Sequence, residues 1–534
     1  MNLFKNSKLK RSQEILKIFF RFGLDYLIDR SEINFLLKLR GRSGEFDKLT
    51  PPERLRKALE ELGPTFVKFG QILSTRPDLV PPEFVDELEK LQDKVEPFST
   101  EKARKIVEEE LGQPIDEVFV DFSEQPVASA SLSQVHKAKL KSGEEVAVKI
   151  RRPNIKQKIK TDLNILEKLA GSLEERTHKG WVFHPKLMVR EFKRTVLNEL
   201  DFFNEAQNFE KFKNKLKDID YASVPEVYWD YTSSKVLTME FIHGTKISEI
   251  ISDENKEKFD AKKVAKRGSL LTLKLVYEEG FFHGDPHPAN LFVQPPAHIV
   301  LLDVGMVGYL DEDTRRESAK LLHSVIKSKP KQAVMSLKKL GATVGEHDTT
   351  MLYRDLNELF SKYVDIPLKR LNFSKMNRDM LEVMVRHNLT LPPNLSLMLK
   401  SITTIESIGK KLDPDFNMAK TTKPFIKRLL ADQYSPSAMY ERGKDVVKDL
   451  IDLSEVLPKN LTDIITQARK GELNLHITHQ GLEDLDREID RASNQLSFSI
   501  IIAAIIVGSS LIIQQGVGPF IFGYSALGVL GFVV

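Results

Sequence analysis

Apolar positions recur at helical spacing along most of this chain, and a central stretch switches to the tighter rhythm of strands. Near the start, Leu9, Ile15, Leu16, Ile18, Phe19 and Phe20 interleave with Lys5, Lys8, Lys10, Arg11, Lys17 and Arg21, which predicts a basic amphipathic helix. Such a helix either lies on an anionic membrane surface or packs on its own domain. After a loop rich in Gly, Ser and Pro at 40–52, Leu62, Phe66, Phe69 and Leu73 form one apolar stripe on a helix opened by Pro64. Lys68, Gln71 and Thr75 make a separate polar line, and another helix is predicted over about 83–94. Strand character begins near Val118: 126–140 reads as strand, tight turn, strand, 141–144 as a hairpin turn, and 145–150 as a buried strand. Helices are predicted over roughly 155–176 and 185–216, then a β pair at 224–231 and 235–241. From Ala261 the pattern is helical apart from one short hairpin, and 439–494 reads as amphipathic helix with breaks.

The C-terminus differs from everything before it. No charged residue occurs from Leu496 to Val534, where apolar runs at 497–513 and 520–534 flank Gly516, Gly518 and Pro519. Each run is at or just under the length that spans a hydrocarbon core. Together they predict a transmembrane helical hairpin, with a buried soluble hairpin as the alternative. Gly508, Ser509 and Ser510 in one run and Gly523, Gly528 and Gly531 in the other suit close helix approach in lipid. Arg487 and Arg491 precede the first run, which places the large domain on the cytoplasmic side. The first 30 residues mix charge with apolar residues and do not read as a signal peptide.

Length and composition add bounds. A chain of 534 residues accommodates two to four domains. Lys plus Arg is 80 against 76 Asp plus Glu, a balance that argues against nucleic acid as the partner. There is no cysteine, which excludes disulfides and Cys-ligated metal sites.

The chemistry concentrates in His283-Gly284-Asp285-Pro286-His287-Pro288-Ala289-Asn290, with Asp303-Val304-Gly305 following. Asp285 precedes Asn290 by five positions, and a D-x-G turn closes the hairpin, the spacing of a protein-kinase-like phosphoryl-transfer centre. In such a centre the first Asp meets the attacking hydroxyl or water, and Asn290 and Asp303 supply the hard oxygens that suit Mg²⁺. Lys149, ending Val146-Ala147-Val148-Lys149, offers the cation for the α- and β-phosphates of ATP. Glu205 is the favoured partner of Lys149, with Glu199 and Asp201 on the same predicted helix projecting towards the nucleotide or Lys68. The stretch at 239–242, with Glu240 and Ile242, is expected to form the adenine-binding hinge. His283 is expected to support the loop, and His287 either lines the site or is an ordinary loop histidine.

Two features depart from protein kinases. The glycine-rich phosphate loop is replaced by Ala128, Ser129, Ala130, Ser131, Leu132, Ser133, Gln134 and Val135. Small residues still let the backbone approach phosphates and the serines add donors, but a loop without glycine is stiffer. Only residues 306–310 separate Gly305 from a helix opening at Asp311-Glu312-Asp313-Thr314, which leaves no room for a peptide-holding activation segment.

These residues together resemble the UbiB family of atypical kinase-like proteins. The most specific mark is Lys68-Phe69-Gly70-Gln71, which matches the family's K-x-G-Q motif. The alanine-rich loop, Glu199 and Asp201 as E-x-D, and the H-G-D-x-H-x-x-N run match as well. The resemblance implies an extension folded over the active site with Lys68 entering it, binding of ATP with Mg²⁺, and ATPase or small-molecule kinase activity. It also implies a membrane-proximal role in isoprenoid-quinone synthesis or lipid homeostasis, with membrane lipids, pathway intermediates or enzymes as partners, and a homodimer as a candidate assembly. The expected fold is α+β: a two-lobed protein-kinase-like fold with an N-terminal helical extension and a C-terminal transmembrane helical hairpin. Its expected parts are a membrane-surface arm (1–47), the K-x-G-Q extension (48–117), the N-lobe (118–242), the C-lobe (243–410), a helical connector (411–495) and the hairpin (496–534). The alternatives are a phosphotransferase of the aminoglycoside- or choline-kinase type, and a membrane scaffold without essential catalysis.

Overall fold

The structure is a computed structural model that describes residues 2–24, 49–76, 79–91, 95–174, 185–252, 256–327, 329–341, 349–363, 373–387, 389, 391–432, 482–515, 520–521 and 524–525. The chain forms two units, Met1–Ser435 and Pro436–Val534.

In the first unit the basic helix Asn2–Arg21 turns its apolar face inward. Ile15, Ile18 and Phe19 are buried in one core with Leu59, Leu62 and Phe66. Arg11 donates to the buried Asp162 at 2.9 Å and to the Leu62 carbonyl at 2.9 Å. Of the two roles open to this arm, the structure shows packing on its own domain at Ile15, Ile18 and Phe19; residues 25–48 lie outside the described residues.

Two extension helices follow, Pro51–Leu62 and Pro64–Ser74, separated by Gly63 at φ 92°. Each has proline in its first turn, where the missing N–H is no loss. The predicted helix at 83–94 is observed as Pro82–Leu88. Gly70 faces the crossing of these helices: a Cβ there would collide with Leu91 and press on Leu59 and Leu88.

The next lobe is a five-stranded antiparallel sheet. β1 (Phe119–Phe122), β3 (Ser133–Leu140), β4 (Glu145–Arg151) and β6 (Val236–Glu240) lie side by side, and the short β2 (Ala128–Ser129) pairs with β3. Helix Thr100–Leu111 seals one face, with Ala103 and Val107 buried against Val146, Val148 and Ile150. Of the β pair expected at 224–231 and 235–241, the second strand is present as β6; in the first only a single bridge from Val227 to Met239 remains and Trp229–Tyr231 is a 3-10 turn, with a short strand β5 (Ala222–Ser223) just before it.

The helix predicted at 185–216 is two helices, Pro185–Glu199 and Phe202–Lys215. Asp201 is the N-cap of the second and accepts from the Phe203 N–H at 3.1 Å. The buried Arg151 side chain donates to the Leu200 carbonyl, satisfying a backbone group the break exposes.

The second lobe is mainly helical around a small sheet. β5 runs parallel to β10 (His298–Leu301), which pairs in turn with β9 (Leu291–Gln294) and, beyond it, β7 (Thr245–Lys246). A separate pair, β8 (Phe281–His283) and β11 (Val307–Tyr309), carries the chain into and out of the hairpin. Helices Ala261–Lys274 and Pro393–Leu412 pack together beneath, around Leu271, Leu273, Ile402 and Ile405.

The second unit holds helix Leu482–Gln515, in which Ser493–Ile512 is long and apolar enough to cross a membrane. Leu496, Phe498, Ile500, Ile501 and Ile502 are all exposed. The expected second spanning helix is corrected: Phe520–Ile521 pairs antiparallel with Tyr524–Ser525 as a short β turn. Among the described residues there is one such helix, not a hairpin. The connector between 433 and 481 lies outside the described residues.

Replacing Gly70 by alanine sets two effects against each other. Helix propensity favours alanine by about 1 kcal/mol, and overpacking typically costs about 1–3 kcal/mol. The contact with Leu91 decides the sign, so Gly70→Ala is expected to lower stability by about 1–2 kcal/mol in denaturant unfolding. Equal or higher stability would show that the leucines yield freely.

Candidate active site

The hairpin builds its geometry from backbone pairing. Val307 sits opposite His283, and the Gly284 N–H donates to the Met306 carbonyl at 2.9 Å. This fixes the loop that starts at Asp285. His283 is buried, and its Nδ1 accepts the Asp285 N–H at 3.1 Å. Burial pushes the His283 imidazole below its ordinary value, against the pull of Asp285 and Asp303. Asn290 donates from its backbone N–H to His287, and its carbonyl accepts the Leu302 N–H at 3.0 Å. Asn290 and Asp303 therefore stand at neighbouring positions across the open end of the β9–β10 hairpin. His287 is exposed, with Nδ1 accepting the Ala289 N–H at 3.3 Å, a loop-capping contact.

Three distant segments converge on one ammonium. Lys149 Nζ donates to both Glu205 oxygens, at 2.7 and 2.8 Å, and lies 3.6 Å from Asp303. Burial alone would lower the Lys149 value, but Asp303 and Glu205 outweigh it and hold the ammonium charged. Burial raises the Glu205 carboxyl to about 7 against the pull of Lys149. Asp303 would also be raised by burial, yet Lys149 and the Gly305 N–H, which donates to it at 3.0 Å, hold it at about 2. The Asn208 side chain donates to the Val304 carbonyl at 3.0 Å, tying the D-x-G turn to the helix that carries Glu205.

A second ion pair closes the site from the extension. Lys68 Nζ is 2.8 Å from Glu199, with both side chains largely buried. Gln71 of the same motif is a strut, donating to the Leu91 carbonyl at 3.2 Å.

Several expected nucleotide contacts are placed elsewhere. Asp201 is the N-cap of the helix that carries Glu205, accepting the Phe203 N–H. Gln134 is fully buried and exchanges hydrogen bonds with the Phe98 backbone at 3.0 and 3.2 Å, which makes it an anchor for the extension. The Ser129 hydroxyl donates to the Val95 carbonyl at 2.7 Å, and Ser131 and Ser133 are buried, so these hydroxyls are not free donors in the cleft. Arg152 donates to Ser129 at 2.7 Å and to the Ala130 carbonyl at 2.8 Å, so the alanine loop is clamped from behind. Ala128 and Val135 are backbone partners across β2 and β3, and Val135 stands opposite Lys149. The exposed Glu240 side chain accepts the Glu226 N–H at 3.3 Å, while Ile242 just beyond β6 is half-buried.

One residue escaped sequence reasoning. Lys400, on helix Pro393–Leu412, lies 3.1 Å from Asp285. Burial would raise the Asp285 carboxyl, but Lys400 beside it holds it below its ordinary value. A lone lysine in a long helix more than a hundred positions from the motif carries no local signal, and only its neighbours in space reveal it.

This geometry, two lobes with a cation, a carboxylate pair and a D-x-G turn at their junction, is that of a protein-kinase-like fold. Comparison with known proteins is consistent with it. The ABC1 atypical kinase-like domain matches residues 90–337, the UbiB helical domain 356–417, and the ABC1/UbiB kinase-like C-terminal domain 480–534. A "Probable protein kinase UbiB" of Pseudomonas putida is 32% identical over 95% of this chain and 94% of its own length. One of the same name from Marinobacter nauticus is 33% identical over 87% and 86%. An uncharacterised Clostridium pasteurianum protein from a hydrogenase 1 5' region is 32% identical over 98% and 96%. The solved structure of Mycobacterium tuberculosis Rv3197, in complex with erythromycin, superposes with a TM-score of 0.50 at 22% identity, over 74% of this chain and 98% of that one. The chain belongs to the ABC1/UbiB family of atypical kinase-like proteins.

The Asp303 value sets a pH dependence. Its folded value, about 2, lies below the ordinary carboxylate range, so its contribution to stability is full above about pH 4 and lost as pH falls through about 2. The stability difference between the protein and Asp303→Asn is expected to shrink as pH falls from about 4 towards 2. A difference that stays constant over that range would contradict this ion pairing.

Proposed function

We propose that the protein is a membrane-associated atypical kinase or ATPase that binds ATP with Mg²⁺ and uses Asp285 to orient the nucleophile. The observation that carries this reading is the meeting of Lys149, Glu205 and Asp303 from three separate segments within hydrogen-bonding or ion-pair distance. A buried ammonium held by two carboxylates is pre-placed for phosphate oxygens, which exchange for part of its carboxylate contact. Lys149 binds the α- and β-phosphates, and the backbone of the clamped Ala128–Ser131 loop covers them. The 239–242 stretch, including the backbone at Glu240 and Ile242, receives the adenine.

The metal reading fits the donors. No group of three or more acidic, His or Cys side chains is gathered among the described residues, so a cage made by protein alone is not available. Asp303 and Asn290 supply two hard oxygens, which matches Mg²⁺, an ion that takes most of its ligands from water and phosphates. When bound, Mg²⁺ neutralises charge on the transferring phosphoryl group.

The extension argues for a small acceptor or water over a peptide. Lys68 enters beside Glu199, and Asp86 on helix Pro82–Leu88 is bonded to Arg378 at 3.2 Å, so the extension is tied across the face where a peptide would lie. Lys400 acts as a positioning residue, keeping the Asp285 carboxylate ionised and aimed. The exposed apolar helix Ser493–Ile512 supports anchoring in a membrane, with the kinase-like domain on the cytoplasmic side. The family resemblance supports a role in isoprenoid-quinone synthesis or lipid homeostasis.

Asp303→Asn is expected to abolish Mg²⁺-dependent ATP binding, and to lower turnover by about two orders of magnitude or more, measured by calorimetry and phosphate release. Unchanged affinity and turnover would sink the assignment. In a deletion strain, lipid and quinone profiles restored by the wild type but not by Asp303→Asn tie the chemistry to that role. For Lys400→Ala, kcat is expected to drop about tenfold with little change in KM for ATP, and Lys400→Arg to recover most of it. An equal fall in both parameters, or no rescue by arginine, would reduce Lys400 to a packing residue.

A further inference from the structure

The segment 95–99 leads from the extension into the sheet lobe, and it is fastened at Val95 and at Phe98. The Val95 carbonyl accepts from the Ser129 hydroxyl at 2.7 Å and from Arg152 at 3.3 Å. The Arg152 guanidinium lies 5.7 Å over the Phe98 ring, and the Gln134 side chain grips both backbone groups of Phe98. The same Arg152 holds the Ala130 carbonyl, so this segment backs the alanine loop.

Behind the grip stands a histidine. Gln134 and His136 are both fully buried on β3, and the Gln134 amide nitrogen is 2.8 Å from His136 Nε2. The other ring nitrogen, Nδ1, is 2.9 Å from the Ser123 carbonyl. The two ends of this chain of contacts fix the protons within it. A carbonyl only accepts, so Nδ1 carries the hydrogen, and in the neutral ring Nε2 is the acceptor. The Phe98 N–H only donates, so the Gln134 oxygen faces it at 3.0 Å. The Gln134 amide then donates both to the Phe98 carbonyl, at 3.2 Å, and to Nε2. The network is complete with a neutral imidazole. A proton on Nε2 sets donor against donor. Turning the Gln134 amide over meets the new N–H but opposes the Phe98 N–H, so a hydrogen bond is lost either way.

We propose that His136 and Gln134 are positioning residues that form a proton-sensitive latch: the neutral imidazole keeps Gln134 on Phe98, and protonation loosens segment 95–99 from the sheet lobe. Phe122 of β1 stacks on the ring at 4.8 Å, and Val148 of β4 stands opposite. Charged neighbours are Arg104, on helix Thr100–Leu111, and Glu124, just after β1, which lie 3.6 Å apart. Lys137, next on β3, is engaged with Glu145 at 2.6 Å. Burial is the main influence and pushes the imidazole below its ordinary value; Arg104 adds to the fall, and the Ser123 carbonyl and Glu124 oppose it. A base lowered in this way contributes stability that is full above its ordinary value, about 6.5, and lost as pH falls below it. The consequence for the alanine loop, weaker nucleotide binding in acid, rests on the ATP-binding reading of the site.

Hydrogen exchange of the full chain in detergent tests the latch without nucleotide. It is read by mass spectrometry over peptides containing Phe98 and corrected for the intrinsic effect of pH. Wild-type protection there is expected to fall about fivefold between about pH 7.5 and 5, the worth of one hydrogen bond. In His136→Gln, which has no titrating ring, it should stay level. Gln134→Glu should hold or tighten in acid instead, because its carboxylate accepts from the Phe98 N–H and the protonated ring together. A second arm measures AMP-PNP affinity with Mg²⁺ at both pH values. The ratio of wild-type to His136→Gln dissociation constants is expected to rise about threefold in acid. Wild-type protection that does not change with pH, or that falls equally in His136→Gln, overturns the latch. A flat affinity ratio with the exchange result intact overturns its link to the nucleotide. No AMP-PNP binding at either pH, with the exchange result intact, supports the latch and counts against the ATP-binding reading alone.

Discussion

The site depends on one buried ammonium. Lys149 stands within the central strand β4, under a sheet whose core excludes water, and an ammonium there is unstable without partners. Glu205 supplies both oxygens and Asp303 approaches from the opposite lobe. Each partner brings its own constraint. Glu205 must lie in the first turn of a helix that begins at Asp201, and Asp303 must leave β10 through a tight turn closed by Gly305. The break at Leu200, the Asn208 link to Val304 and the arginine beneath the break all serve to deliver those two carboxylates to one point.

Around this centre the chain replaces mobile kinase parts with fixed ones. Where a glycine loop would flex, Arg152 and the backbone of Val95 hold Ser129 and Ala130. Where an activation segment would extend, β11 turns directly into helix Glu312–Ile326, capped by Asp311. The space left open is crossed by the extension, anchored through Gln134 to Phe98, Lys68 to Glu199 and Asp86 to Arg378. Polar side chains that looked like ligand donors are thus fastenings of the extension.

The legible parts of the site were those set by short-range chemistry. Asp285, Asn290 and Asp303 were identifiable because a hairpin holds them within twenty residues of one another. Lys149 followed from a strand pattern. Ser129, Gln134 and Asp201 bond to backbone in the structure, which residue type could not foretell: a hydroxyl, an amide or a carboxylate hydrogen-bonds to any nearby backbone group. The second C-terminal run was misread because hydropathy counts composition and does not tell a helix from the strand pair formed by Phe520–Ile521 and Tyr524–Ser525.

By itself the sequence determined the alternation of elements, the family, the candidate hairpin and the pairing of Lys149 with Glu205, because periodicity and motif spacing act over a few residues. Tertiary structure alone decided that the basic arm packs on its own domain, that Asp201 caps a helix, and that Lys400 reaches Asp285. Those outcomes turn on which apolar face is buried and which charges share a desolvated pocket. Such choices are made between segments far apart in the chain, where no local pattern records them.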